Sequence, residues 1–420
     1  MATVYFTSNA STGSGSLAEA IKNASPGDVI RPDETVFERG STIEIVLASL
    51  LSVDKNLTLD ASPCRVRLDG GGKTSCVRIT GANASFTAFD FVRGVATASG
   101  ACAFVGVDAT ATFDRCLFAG GSTIYGGGAT VVKTATAMFN DCLFVGCRST
   151  GVNGAGLHVD GTATLNGVTA VGCAASNPND VYVAYGASAT IRNSIIGKLF
   201  KSSAATATVE NSVVDVAPST VGFVASPPDD LTPENWNANA WQDWDLRLLD
   251  DASGAPSPYR DSGDVGAMSR YDLDGNFRGR ETNGVATCSP GAYETIQADL
   301  FWVGRDATGA EVVSPSFLTS DGWAASRFAT VSGDVAPQAG QTLFIDGVVV
   351  FSDALPTFSA RRASVVVGGF AKVDFNAANP VGLAWFSVGY GSLTTAKTRL
   401  EKSNPAARVA ACASASCVSS

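Results

Sequence analysis

Residues 111–121, ATFDRCLFAGG, return at residues 137–147 as AMFNDCLFVGC. The pair belongs to a longer series: ASFTAFDFVRG from Ala84, ATLNGVTAVGC from Ala163, ATIRNSIIGKL from Ala189 and ATVENSVVDVA from Ala207. With one apolar position as the mark, the series reads Leu59, Phe86, Phe113, Phe139, Leu165, Ile191 and Val209, at steps of 27, 27, 26, 26, 26 and 18. A constant step of this size is the signature of a stacked repeat. Within a step, short β-prone runs alternate with Gly, Asn, Asp and Ser, and nothing helical intervenes. There is room for three strands and three turns. The spacing therefore predicts an all-β fold, a right-handed parallel β-helix (solenoid) whose triangular coils stack into parallel sheets. A leucine-rich repeat of similar period is set aside because its LxxLxLxxN pattern is missing.

The composition agrees. The 420 residues include 44 Gly and only 16% charged residues, which suits short strands and tight turns rather than long solvated helices. A net charge of −10 and a pI near 4.7 argue against nucleic acid as a partner, since the phosphate backbone demands clustered Lys and Arg. No window approaches ~18 consecutive apolar residues, so no transmembrane segment is predicted. The start, MATVYFTSNAST, lacks a basic n-region and an apolar h-region. No export signal is visible.

Cys116 and Cys142, Cys147 and Cys173, and Cys76 and Cys102 are each 26 residues apart. Stacked side chains point the same way, so these are read as small buried hydrophobes rather than bridges. Metal ligation ranks last because no CxxC pair occurs. Cys412 and Cys417 stand close enough in sequence to pair locally. Phe113, Cys116 and Phe118, and then Phe139, Cys142 and Phe144, are assigned to the interior; Asp114, Arg115, Asn140 and Asp141 are assigned to exposed faces.

The open end of a stack is an unpaired sheet edge that needs covering. Ser16-Leu17-Ala18-Glu19 forms a capping box that opens a short amphipathic helix over the N-terminal end. The Trp-rich run SPPDDLTPENWNANAWQDWDLRLLDD is expected to close the C-terminal end. The chain divides into a cap and first coil (1–55), parallel coils (56–217), a terminal module with the C-terminal cap (218–298), a smaller C-terminal β domain (299–395) and a polar tail (396–420).

The opening VYFTSNASTGSGSLAEAIKNASPGDVI, the LDGGGKTSCVRITG turn and the NSII and NSVV strands resemble bacterial secreted right-handed parallel β-helix proteins, including relatives of the chlamydial polymorphic outer-membrane proteins. An Asp-Gly-Asn-x-Arg turn at 274–278 and a final Gly-Ala-Tyr-Glu at 291–294 resemble the terminal module of the same group. The resemblance spans roughly residues 3 to 296. It implies an extracellular or cell-surface location, with an adhesive or glycan-binding role. Other branches of the fold are polysaccharide lyases and glycosidases, so fold alone does not choose.

Four groups of residues are site candidates. The single histidine, His158, is placed outward between inward Leu157 and Val159, as a solvated side chain on the wall; with no second histidine, a triad or His-rich metal site is disfavoured. Asp108 and Asp160 each stand five residues before a mark, two coils and ~9.6 Å apart, near the upper limit for an inverting glycosidase pair. Thr134 lies between them, with Lys133 beside it, but no aromatic platform flanks them. Asp is also an ordinary turn residue. Trp236, Trp241 and Trp244 are read as packing in preference to a sugar platform. Asp272, Asp274 and Asn276 alternate around Gly275 as in a calcium loop, without its distal Glu, so a structural calcium is the one cofactor entertained. The reading is a non-enzymatic protein whose wall binds a glycan or a host surface. The rival is a polysaccharide lyase or glycoside hydrolase using carboxylates on that wall.

Overall fold

The computed structural model describes residues 1–249 apart from 39, 63, 152 and 178. It then describes 256–269, 271–276, 278, 280–282, 285–295, 300–304, 308, 310, 322–324 and, beyond these, the strands 342–345, 348–351, 364–367, 372–375, 385–388 and 408–411. Cys412 and Cys417 lie outside the described residues. The chain forms two compact units, the first comprising Met1–Leu249, Ser257–Leu273 and Arg278–Thr295, the second Asp250–Pro256, Asp274–Phe277 and Ile296–Ser420.

In the first unit the marks from Leu59 to Val209 stand over one another, each in register with the next. They belong to a parallel sheet of nine strands, the first wall. A second wall has eight strands and a third has seven. The chain visits the three walls in turn, so the unit is an all-β parallel solenoid of about seven coils. Its interior is filled by like residues in columns. Phe86, Phe113 and Phe139 stack at 5.5 and 5.2 Å, and Phe91, Phe118 and Phe144 at 5.2 and 4.5 Å. The two columns meet edge to face, as between Phe113 and Phe118 at 81°. Burial of these rings stabilises the stack at ~25 cal/mol per Å² of apolar surface removed from water, and the ring geometry adds about 1 kcal/mol per contact.

The walls differ in what covers them. First-wall strands such as Thr110–Asp114 and Thr162–Asn166 alternate between buried and open positions. Second-wall strands Phe89–Val92, Leu117–Ala119, Leu143–Val145 and Thr169–Val171 are buried at every residue. Their outward side chains, among them Val92, Leu143 and Val171, pack under Val221, Phe223, Leu246, Leu248, Leu273 and Ala292. The segment expected to close the C-terminal end thus lies along the second wall, because that wall is the one with apolar residues on both faces. Val209, a core position in the last coil, is left 39% exposed. Arg115 and Asp141, assigned above to exposed faces, are buried for the same reason.

The eight described cysteines are buried. Four of them alternate with glycine at the corner between the second and third walls. A Cβ on Gly121 would stand 2.6 Å from Cys102 Sγ, one on Gly128 3.3 Å from Cys147 Sγ, and one on Gly156 3.2 Å from Cys173 Sγ. In the next coil Asp180 takes the place of the thiol, 2.7 Å from where a Cβ on Gly197 would be. At each coil one partner fills the corner and the other has no side chain.

Near the N-terminus, Leu17–Asn23 is helical, with Ser16 Oγ accepting from Glu19 N–H at 3.2 Å. Glu19 reaches one residue further back than the box predicts, accepting from Gly15 N–H at 2.6 Å. Leu17, Ala20 and Ile21 are buried. Lys55 Nζ donates to the carbonyls of Lys22 and Ala24, both at 2.8 Å, where the helix dipole favours a cation.

The second unit also stacks strands. Thr342, Ser364, Trp385 and Arg408 share one register column at steps of 22, 21 and 23 residues, in a sheet whose five parallel strands begin at Leu300–Trp302. Arg408–Ala411 extends this ladder, so the polar tail contains a strand.

Candidate functional site

With the second wall covered, outward chemistry is confined to the other two. The outward column of the third wall runs Arg78, Phe104, Thr130, His158, Tyr182 and Phe200. Excursions from the preceding corner fold over part of this column. Gly100 lies against Phe104, Gly126 against Thr130, and Gly154 against His158 and Tyr182. The excursions end where Gly197 and Lys198 lead directly into Leu199–Lys201. Loss of that excursion is the cause of the last step of 18. Beyond it the column is open, and Phe200 is 42% exposed.

His158 does face outward between Leu157 and Val159, yet it is only 6% exposed, not solvated. Tyr125 lies over it at 5.4 Å and Tyr182 stacks on it at 5.0 Å. Phe200 continues the stack at 5.4 Å from Tyr182. His158 Nε2 is 3.2 Å from Asp160 Oδ1, while Nδ1 is buried without a hydrogen-bond partner. Rings stacked on one another offer their edges to solvent, so the free faces are those of the two end rings, Tyr125 and Phe200, each 42% exposed, and of the separate Tyr185, 77% exposed. The flanking aromatics missing from the sequence reading are therefore present, contributed by turns and by the uncovered end of the column.

Asp108 and Asp160 are not equivalent positions. Strand ends Val105, Val131, Val159 and Val183 are in register, and so are strand starts Thr110, Thr136, Thr162 and Ser188. The connecting turns are 106–109, 132–135, 160–161 and 184–187. Asp108 occupies the tip of a four-residue turn, with φ of 54° and its N–H donating to Thr134 Oγ1 at 3.1 Å. Asp160 opens a two-residue turn, its N–H bonded to Val131 O at 2.8 Å, so it matches Val132 and not Thr134. Counting back from the marks concealed this, because the preceding corner excursion is longer by the two residues that the turn lacks. Lys133 is exposed on the neighbouring tip.

The tryptophans sit against the second wall. Trp236 Nε1 donates to Gly146 O at 2.7 Å, and Arg148 covers its ring at 5.4 Å. Trp241 lies on Gly146 with Arg67 over its ring at 5.9 Å, and Trp244 lies on Gly172. All three are partly buried there. Asp272 belongs to the first unit and Asp274 and Asn276 to the second. The Asp272 carboxylate accepts from Glu294 N–H at 2.8 Å. Among the described residues no group of three or more His, Cys, Asp or Glu is arranged to hold a metal ion, and no helix is long and apolar enough to cross a membrane.

Two features around buried carboxylates carry no signal in the repeat. At the end of the corner excursions a pocket of about 330 Å³ is lined by Cys173, Asn179, Asp180, Gly197, Lys198 and Asp215, among others. Burial pushes the Asp180 carboxyl up to about 7, opposed by the Cys173 N–H it accepts at 2.9 Å. Under the terminal module, Arg278 stands 2.9 Å from Asp141 and 3.6 Å from Glu294 and donates to the carbonyls of Ser289 and Gly291. Asp272 adds a third carboxylate to its field. Arg278, joined at Asp141 by Arg115, does not offset the desolvation of these carboxylates: burial raises Glu294 to about 7 and Asp141 well above its ordinary value.

No protein-family model and no curated protein matches the chain. Among solved structures, pectate lyase Pel9A matches at 13% sequence identity and a TM-score of 0.30, over 70% of this chain and 96% of that one.

Proposed function

We propose that this chain is an exported or surface-displayed bacterial protein of the right-handed β-helix class, with an adhesive role exercised by binding glycan at the uncovered end of its third wall. The helix at Leu17–Asn23 is its N-terminal cap. The observation that carries the reading is the grouping of exposed Tyr185 and Phe200 with the open carboxylate of Asp160 and the ammonium of Lys133, at the end of the third wall that the corner excursions leave uncovered. Aromatic faces take the C–H side of a sugar ring while carboxylates and ammonium groups take its hydroxyls. On the first wall the middle strands carry rows of Thr outward, and its exposed ring, Tyr5, stands on the edge strand at the start of the sheet, apart from those rows.

A glycan array coupled to a reducing-sugar release assay tests the reading. Binding without release is expected, weakened by Tyr185→Ala and Phe200→Ala. Release of reducing ends that disappears in Asp108→Asn or Asp160→Asn would replace the binder with a glycoside hydrolase, and unsaturated products would replace it with a lyase.

A further inference from the structure

The turns leading from the third wall to the first form a ridge along the solenoid. Turns 106–109, 132–135, 184–187 and 202–205 each close by a hydrogen bond from the fourth residue's N–H to the first residue's carbonyl, at 3.1, 2.8, 3.0 and 3.0 Å. Their tips, residues 107–108, 133–134, 185–186 and 203–204, are all exposed. Only Asp160–Gly161, in the middle, has no tip. The ridge is cut there, and the turns on either side stand two coils, or about 9.6 Å, apart.

The cut is built into the packing. A Cβ on Gly161 would lie against the carbonyl oxygens of Ala135 and Val132, closer than real Cβ contacts come, so the short turn sits directly on the preceding one. Asp160 forms the floor, 44% exposed at its side chain, with one oxygen held by His158 and the other open. Lys133 and Thr134 bound one side; Tyr185 and Gly186 bound the other.

We infer that this gap is a transverse groove that takes a single strand of neutral glycan crossing the ridge at right angles to the solenoid axis, an inference that rests on the glycan-binding reading above. The width admits one extended strand and not a sheet of them. The Tyr185 ring meets a sugar face, Asp160 accepts from hydroxyls, and Lys133 donates to ring or hydroxyl oxygens. Asp108 and Asp160 outnumber Lys133, and the whole chain carries −10, so a polyuronate strand is repelled.

The test uses the full chain and three sets of hexasaccharides, neutral, amino-bearing and uronic, with binding measured by calorimetry. In one variant the Asp160–Gly161 turn is replaced by Val-Lys-Thr-Ala, the turn of the preceding coil, which restores the missing tip. A second variant, Tyr185→Ala, alters only an exposed ring and keeps the test valid should the first misfold by circular dichroism. Neutral hexamers are expected to bind best, and to lose about tenfold in affinity in the filled variant and about three- to tenfold in Tyr185→Ala. Neutral binding that both variants retain in full overturns the groove while leaving a glycan binder. A preference for uronic hexamers overturns the charge class. Absence of binding to all three sets overturns the groove and the glycan reading together.

Discussion

At Asp180 and Glu294 the native chain holds protons that an unfolded chain releases. Each carboxyl is raised to about 7 in the fold, first by burial, from the ordinary carboxylate range near 4. A raised carboxyl contributes stability that is fully present below its unfolded pKa and is lost as pH climbs through its folded one. Denaturant unfolding is therefore expected to show greater stability at pH 5 than at pH 8, by on the order of a few kcal/mol for the two groups together. Asp180→Asn and Glu294→Gln should each flatten part of that slope, and a profile that rises toward pH 8 in the parent chain would contradict the assignment. Asp180 also explains Gly197. The nearest atom to a Cβ at 197 is the Asp180 carboxylate, so Gly197→Ala alone should cost about 1–3 kcal/mol. In combination with Asp180→Ala that cost should largely vanish, a coupling that a double-mutant cycle reads directly.

At the level of the strand and turn, the sequence is legible where one column repeats one side chain. The Phe113 and Phe139 strands carry alternation and period together, which fixes inside, outside and register at once. LFA and LFV at Leu117 and Leu143 already signalled a wall buried on both faces, because their outward positions are apolar, but the covering segment lies a hundred residues away and shares no period with them. The Asp160 turn was illegible for a different reason. A loss of two residues there is matched by a gain in the corner before it, so the step of 26 survives while the position moves. Tyr182 and Phe200 each stand nine residues before a mark, as Phe104 does, but Thr130 and His158 interrupt that aromatic column, and Tyr185 lies in a turn outside it. The difference between walls gives a direct comparison. Leu143→Glu on the second wall should destabilise by about 3 kcal/mol or more, since it buries an unpaired charge, whereas Thr164→Glu, outward on the first wall, should stay within about 0.5 kcal/mol. Equal thermal shifts for the two would mean that the second wall is not covered in solution.

For the first unit as a whole, the covering of the second wall decides which surfaces the solenoid can offer. A stack of coils in which each touches only its neighbours has no long-range contact of its own. The terminal module supplies one: Arg65 near the start of the stack donates to Leu273 O at 3.1 Å, Asn166 donates to Ala267 O at 2.7 Å, and Arg278 enters the field of Asp141. This ties separate coils to one continuous strip, so local opening of a coil is opposed by contacts several coils away. Arg278 is the charged centre of that strip. Its replacement by Ala leaves buried carboxylates without their cation, a change of about 3–5 kcal/mol. The loss falls on the module rather than on the Phe columns, because the partners of Arg278 are Asp141, Glu294 and the carbonyls of Ser289 and Gly291. Hydrogen exchange in Arg278→Ala should therefore accelerate at Leu246 and Leu248 and on the outward second-wall strands, while amides of Thr110–Asp114 and Thr136–Asn140 keep their protection. A fluorescent probe of apolar surface should bind the variant and not the parent, as the strip from Val92 to Ile195 opens. Exchange that accelerates equally in the module and in the Phe113 strand would show instead that the solenoid and its cover unfold as a single cooperative unit, and that the coils do not stand without the module.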